Sequence, residues 1–149
     1  MTSAVSQTTQ TTPAVAVLAK GAAIGSAIAL VANLIVFVIG NAGAPLQVVV
    51  GGDTEASDLP VGAVIGASIV PLLLGAIGLW LAYRFLPKSF TIWSAVVAVL
   101  AVVSIVGPLG LDIDTGSKVA LTVMHLTTGA AAIIGQSLVR NSTNQGVNS

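Results

Sequence analysis

The chain has 149 residues, of which 55% are hydrophobic and 7% charged, with five Lys+Arg, five Asp+Glu and zero net charge. Soluble domains carry roughly 25% charged residues, so this composition and a mean hydropathy of +1.01 exclude an ordinary water-soluble globule. Five basic residues at zero net charge leave no footprint for nucleic acid, and zero cysteines with one histidine exclude disulfides, thiolate catalysis, iron–sulfur clusters and multi-histidine metal sites.

The ten charges divide the chain. None falls between Lys20 and Asp53, Asp58 and Arg84, Lys88 and Asp112, or Lys118 and Arg140. A helix needs about 20 apolar residues to cross a bilayer core, and each gap holds one such run. A polar, Ser/Thr/Gln-rich leader over residues 1–19 is expected to be disordered. The first span is then expected at Ala22–Ile39. Cleavage after Ala42-Gly43-Ala44 as a signal peptide is disfavoured, because the run is long and Pro45 would follow the cut. The second span is expected at Val61–Tyr83, opened by Pro60 and kinked by Pro71. A tight turn containing Pro87 leads to a short third span, Phe90–Val106, ended by Gly107-Pro108. A fourth follows at Val119–Val139, and residues 140–149 form a polar tail expected to be disordered. The runs are apolar on all faces, which strands in lipid are not. The fold class is all-α: a membrane domain over residues 20–139 built as a four-transmembrane-helix bundle.

Four crossings place Lys20, Arg84, Lys88 and Arg140 on one side and only Lys118 on the other. The positive-inside rule makes both termini cytoplasmic. The carboxylates Asp53, Glu55, Asp58, Asp112 and Asp114 then form an acidic outer rim, read chiefly as a product of membrane insertion and otherwise as an attractor of cations or a basic partner. Trp80, Tyr83, Phe85, Phe90 and Trp93 cluster at the opposite, inner end as an interfacial belt. Packing between spans in lipid relies on small residues. Gly21…Gly25 and Gly62…Gly66 are both G-x-x-x-G, extended by Gly75, Gly78 and Ala131…Gly135; packing within one bundle is favoured over dimerisation.

Polar groups inside the membrane are candidate functional sites. Asn33, Ser68 and His125 each lie seven or eight residues below the outer end of a span, roughly 10 Å deep at 1.5 Å per residue. Lys118 and Thr122 continue the His125 face up to the outer loop. The five are expected to form a polar pocket, either a structural pin or a site that relays protons or binds a polar solute. The loop 41–58 carries the apolar stretch Pro45–Val50 and is expected to lie in the interface or fold over the bundle as a lid hinged at Gly51-Gly52. Asp112-x-Asp114-x-Gly116 is similar to a calcium loop but lacks its further ligands. Asp114-Thr115-Gly116 is similar to the aspartic-protease triplet but lacks a β-scaffold and a second aspartate. Helix capping by Asp114 or Thr115 is the plainer expectation. No metal or cofactor is expected, and one histidine without a buried carboxylate argues against an enzyme.

Ala32-Asn33-Leu34, Leu59-Pro60-Val61-Gly62-Ala63 with Ser68…Pro71, Pro108-Leu109…Leu111-Asp112, and Ser117-Lys118…Leu121…Met124-His125-Leu126 together resemble an uncharacterised bacterial family of small four-helix integral membrane proteins, a domain of unknown function. The resemblance covers about residues 20–138 and implies a bacterial inner-membrane location, with no activity attached. The expected role is therefore a structural or accessory membrane protein. Its expected partners are the lipid bilayer and either another membrane protein or a second copy. A small oligomeric transporter or proton-linked carrier using the outer polar pocket is the alternative.

Overall fold

The computed structural model describes residues 13–49, 55–86 and 88–145. In chain order these form α1 (Val15–Gly40), β1 (Gln47–Val48), β2 (Ser57–Asp58), α2 (Val61–Phe85), α3 (Ser89–Ser104), α4 (Val106–Gly110) and α5 (Thr115–Gln145). Among the described residues, four segments are long and apolar enough to cross a membrane: Val15–Gly40, Val61–Phe85, Ser89–Gly110 and Thr115–Thr143. The bundle is all-helical apart from one small antiparallel hairpin, in which Gln47 pairs with Asp58 and Val48 with Ser57.

Three boundaries differ from the sequence expectation. α1 starts at Val15, inside the segment assigned to a disordered leader, because residues 14–18 are apolar and Leu18 packs against Leu79 and Val139. α5 runs on to Gln145, past the expected end at residue 139. Neither Gly nor Pro interrupts 140–145, and Ser142 and Thr143 donate hydroxyl bonds back to the Leu138 and Val139 carbonyls at 3.0 and 2.8 Å. The third span does not stop at Gly107-Pro108 but passes through one turn residue, Ile105, and continues as α4. Pro108 has no N–H to offer the Ser104 carbonyl, yet sits in the first turn of α4, where none is needed. The remaining leader and tail residues, 1–12 and 146–149, lie outside the described residues.

α1, α2 and α5 make the core, with α2 and α5 both antiparallel to α1. Buried residues meet in tiers: Leu18 with Leu79 and Val139, then Ala29 with Leu72 and Ala131. The large apolar side chains mostly face outward, as lipid permits. Small residues permit the approach of α1 to α5. A methyl added at Gly21 would lie 2.6 Å from Val139 Cγ2 and 2.7 Å from the Gly135 carbonyl, and one at Gly25 would lie 3.0 Å from the Ala131 carbonyl. This G-x-x-x-G lies against α5 within the bundle. Gly62 and Gly66 are not so used, since nothing lies within 4 Å of a methyl built on either. α2 turns the stripe Val64, Ser68, Leu72 inward, which leaves the two glycines and Pro71 on the outward side. Pro71 lies inside an uninterrupted helix. α3 leans on this core from outside. There Trp93 lies over Gly78 and donates its indole N–H to the Gly75 carbonyl at 3.1 Å, and Ala101 seats against Gly129.

Gly21→Ala and Gly135→Ala should each destabilise the bundle by about 1–3 kcal/mol through overpacking. Gly62→Ala should be neutral or stabilise by up to about 1 kcal/mol through helix propensity. Denaturation curves of the three variants in mixed detergent check this; equal losses at Gly21 and Gly62 would refute the packing assignment.

Candidate functional site

Asn33, on α1 and 2% exposed, lies at the centre of the bundle near its acidic end. Its Nδ2 group donates to Ser68 Oγ on α2 and to Thr128 Oγ1 on α5, both at 2.9 Å. Those hydroxyls pass their own protons to the Val64 and Met124 carbonyls, at 2.7 and 2.8 Å. A carbonyl can only accept, so the two hydroxyl oxygens must accept from the amide, which fixes its orientation. Asn33 Oδ1 in turn accepts from the Thr127 hydroxyl. One side chain thereby ties three helices together, with both amide protons and the carbonyl engaged.

Of the expected pocket, the structure brings together Asn33 and Ser68 and not the others. His125 is half-buried, and its Nδ1–H donates to the Leu121 carbonyl of its own helix at 2.7 Å. Residues four apart share a helix face, and Gly129, one turn beyond His125, meets Ala101 of α3. His125, Thr122 and Lys118 therefore lie on the α3 side of α5, while Thr127 and Thr128 take the places beside Asn33. Depth along the helix was inferable from the span limits; rotation about its axis was not. The Thr127-Thr128 pair, two adjacent hydroxyls in mid-span, was the available signal.

Gln136 is a further buried amide that the sequence reading passed over. It is 6% exposed, and its Oε1 has no hydrogen-bond partner among the described residues. It lines a cavity of about 20 Å³ with Leu18, Gly21, Leu72, Leu79 and Val139. That volume is sufficient for one water molecule and far below the size of a solute pocket.

The acidic end is closed by the hairpin. Leu46 and Leu59, flanking the two strands, are buried with Val64, Ala120, Leu121 and Met124. The Gln47 N–H donates to Ser117 Oγ at 2.8 Å, and Ser117, 1% exposed, donates to Asp114 Oδ2. Asp114 Oδ1 accepts the Ser117 N–H at 2.9 Å, which caps α5 as expected. The loop thus packs as a lid, although the expected Gly51-Gly52 hinge and Asp53 lie outside the described residues. Glu55, Asp58, Asp112 and Asp114 are exposed, and no group of three metal-ligating side chains occurs among the described residues. The hydroxyl and then the backbone N–H of Ser117 hold the Asp114 carboxyl below its ordinary value of 3.8.

Comparison with known proteins places this arrangement. A family model described as a family of unknown function (DUF6069) matches residues 13–142. The chain belongs to that family. The match covers every element that builds the Asn33 junction and the lid. No curated protein and no solved structure matches it.

Two outcomes follow. Asn33→Leu should cost about 1–3 kcal/mol, given about 0.6 and at most about 1.7 kcal/mol for each interhelical bond in a membrane. Gln136→Met should cost little or stabilise, because the lost carbonyl has no partner; unfolding in detergent distinguishes the two. The cap should also respond to acid. Because the folded-state value of Asp114 is depressed, its contribution is complete above the ordinary carboxylate range and is lost as pH falls through the folded value. The melting difference between wild type and Asp114→Ala should therefore be larger at pH 7 than near pH 3, and a pH-independent difference would refute the assignment.

Proposed function

We propose that this chain is a non-enzymatic structural or accessory protein of the bacterial inner membrane, with both termini cytoplasmic. The orientation follows from Lys20, Arg84, Lys88 and Arg140 sharing one end of the bundle. The observation that carries the role is the closure of the polar centre. Both Asn33 amide protons and its carbonyl are taken by Ser68, Thr128 and Thr127, so this buried amide spends its hydrogen bonds between helices rather than on a solute. Such a junction fixes the relative positions of three helices. It gives a rigid body that could present its outward surfaces to another membrane protein.

One observation favours the carrier alternative. Thr122 Oγ1 is buried without a partner among the described residues, one turn from half-buried His125. Extraction from the native membrane in mild detergent, followed by native electrophoresis and mass spectrometry, separates the two readings. A membrane protein at fixed stoichiometry is the expected result. Migration alone or as a homo-oligomer, with solute or proton flux abolished by His125→Gln, would overturn the accessory role.

A further inference from the structure

The two ends of the bundle are built differently. At the acidic end the two short strands cover the helices, with the Gln47 N–H on Ser117 and the Ser117 N–H on Asp114. The other end carries Lys20, Arg84, Lys88 and Arg140, all exposed. No Asp or Glu occurs in residues 1–52, 59–111 or 115–149, so no carboxylate side chain from the segments forming this end is available to neutralise them.

Aromatic rings hold two of these cations in place. The Arg84 guanidinium lies 5.6 Å from the centre of the Trp80 ring and 5.9 Å from that of Phe85. Arg140, from α5, lies 4.9 Å from the centre of the Phe90 ring on α3. Lys88 stands in the turn between α2 and α3, in a left-handed conformation with φ 53°. A guanidinium resting on a ring keeps N–H groups free for a bidentate grip on phosphate. Phe85, 71% exposed, and the neighbouring rings set this cluster at headgroup depth.

We propose that the end of α2, the start of α3 and the facing end of α5 form a binding site for an anionic phospholipid headgroup, gripped by Arg84 and Arg140 and supported by Lys88. Charge complementarity and the aromatic collar argue for lipid, which surrounds the cluster wherever the helices span a bilayer. The inference rests on that spanning, not on the accessory role.

The test is native mass spectrometry of the full chain in micelles holding equal phosphatidylglycerol and phosphatidylcholine. Wild type should retain phosphatidylglycerol several-fold over phosphatidylcholine. Each neutralised residue should lower that preference roughly five-fold at most, so Arg84→Gln/Arg140→Gln should approach parity. Arg84→Lys/Arg140→Lys should stay above the Gln pair, and the acidic-end control Glu55→Gln/Asp112→Asn should match wild type. Should the Gln pair fail to fold, the wild-type preference must still decline with rising salt. Equal retention of the two lipids by wild type, or an undiminished preference in a folded Gln pair, would overturn the site. Inorganic phosphate that displaces the lipid at comparable concentration would overturn the lipid assignment in favour of a soluble anion.

Discussion

The approach of α1 to α5 is the constraint on which the rest of this structure depends. Lipid supplies no hydrophobic drive between helices, so a bundle coheres through contact, and contact requires that the backbones come close. At Gly21, Gly25 and Gly135 the absence of a Cβ is what allows it. The consequences extend up the helices. With Gly21 against Gly135 and Gly25 against Ala131, Asn33 arrives within reach of Thr127 and Thr128, and Leu18 meets Val139 at the other end. A side chain at Gly21 would disturb both the apolar and the polar tiers, because they lie on the same pair of helices.

The interior mixes polar residues into a mainly apolar core. Its most enclosed residues include Asn33, Ser68, Ser89 and Ser117 alongside Leu79, whereas Val31, Leu74, Leu100 and many like them face outward. Energetically this is consistent. An apolar side chain gains little by leaving lipid for protein, while a polar one in lipid must find partners. Ser68 and Thr128 show the economical solution, in which each hydroxyl returns its proton to its own helix and offers its oxygen to Asn33. Gln136 lacks such partners for its carbonyl. The lower half of the bundle is accordingly held by Leu18, Leu79 and Val139 rather than by a polar junction.

Much of the architecture was legible in the chain, for reasons that separate what succeeded from what did not. Span number follows from charge-free runs, because a charge at mid-bilayer is costly wherever it points. Helix ends were less legible. The Ser142 and Thr143 back-bonds let a polar segment stay helical, and Pro108 opened a new turn instead of closing the old one. Side-chain direction was the least legible. Depth put Asn33, Ser68 and His125 at one level, but α5 presents Thr127 and Thr128 to Asn33 and directs His125 toward α3. On spans apolar all round, no amphipathic stripe marks the inward face. The same absence concealed which G-x-x-x-G is used: Gly21…Gly25 and Gly62…Gly66 are alike in spacing and opposite in environment.

Closure at one end and not at the other bears on where this protein meets its surroundings. The lid spends its polar groups internally: the Gln47 N–H on Ser117, Ser117 on Asp114, and the Leu59 N–H on Leu46 at 2.6 Å. Its apolar residues are consumed as well, Leu46 being 3% exposed and Leu59 8%. Among the described residues, a surface built in this way offers chiefly its exposed carboxylates. At the basic end the cations lean on rings and leave their hydrogen-bonding edges unclaimed by any carboxylate side chain among the described residues. Between the ends, α3 contributes an apolar wall, on which Ile92, Val96, Val99, Leu100, Val102 and Val103 are exposed. Polar recognition is therefore concentrated at the basic rim and apolar contact along α3. Both features meet at the α2–α3 turn, where Phe85 and Phe90 flank Lys88.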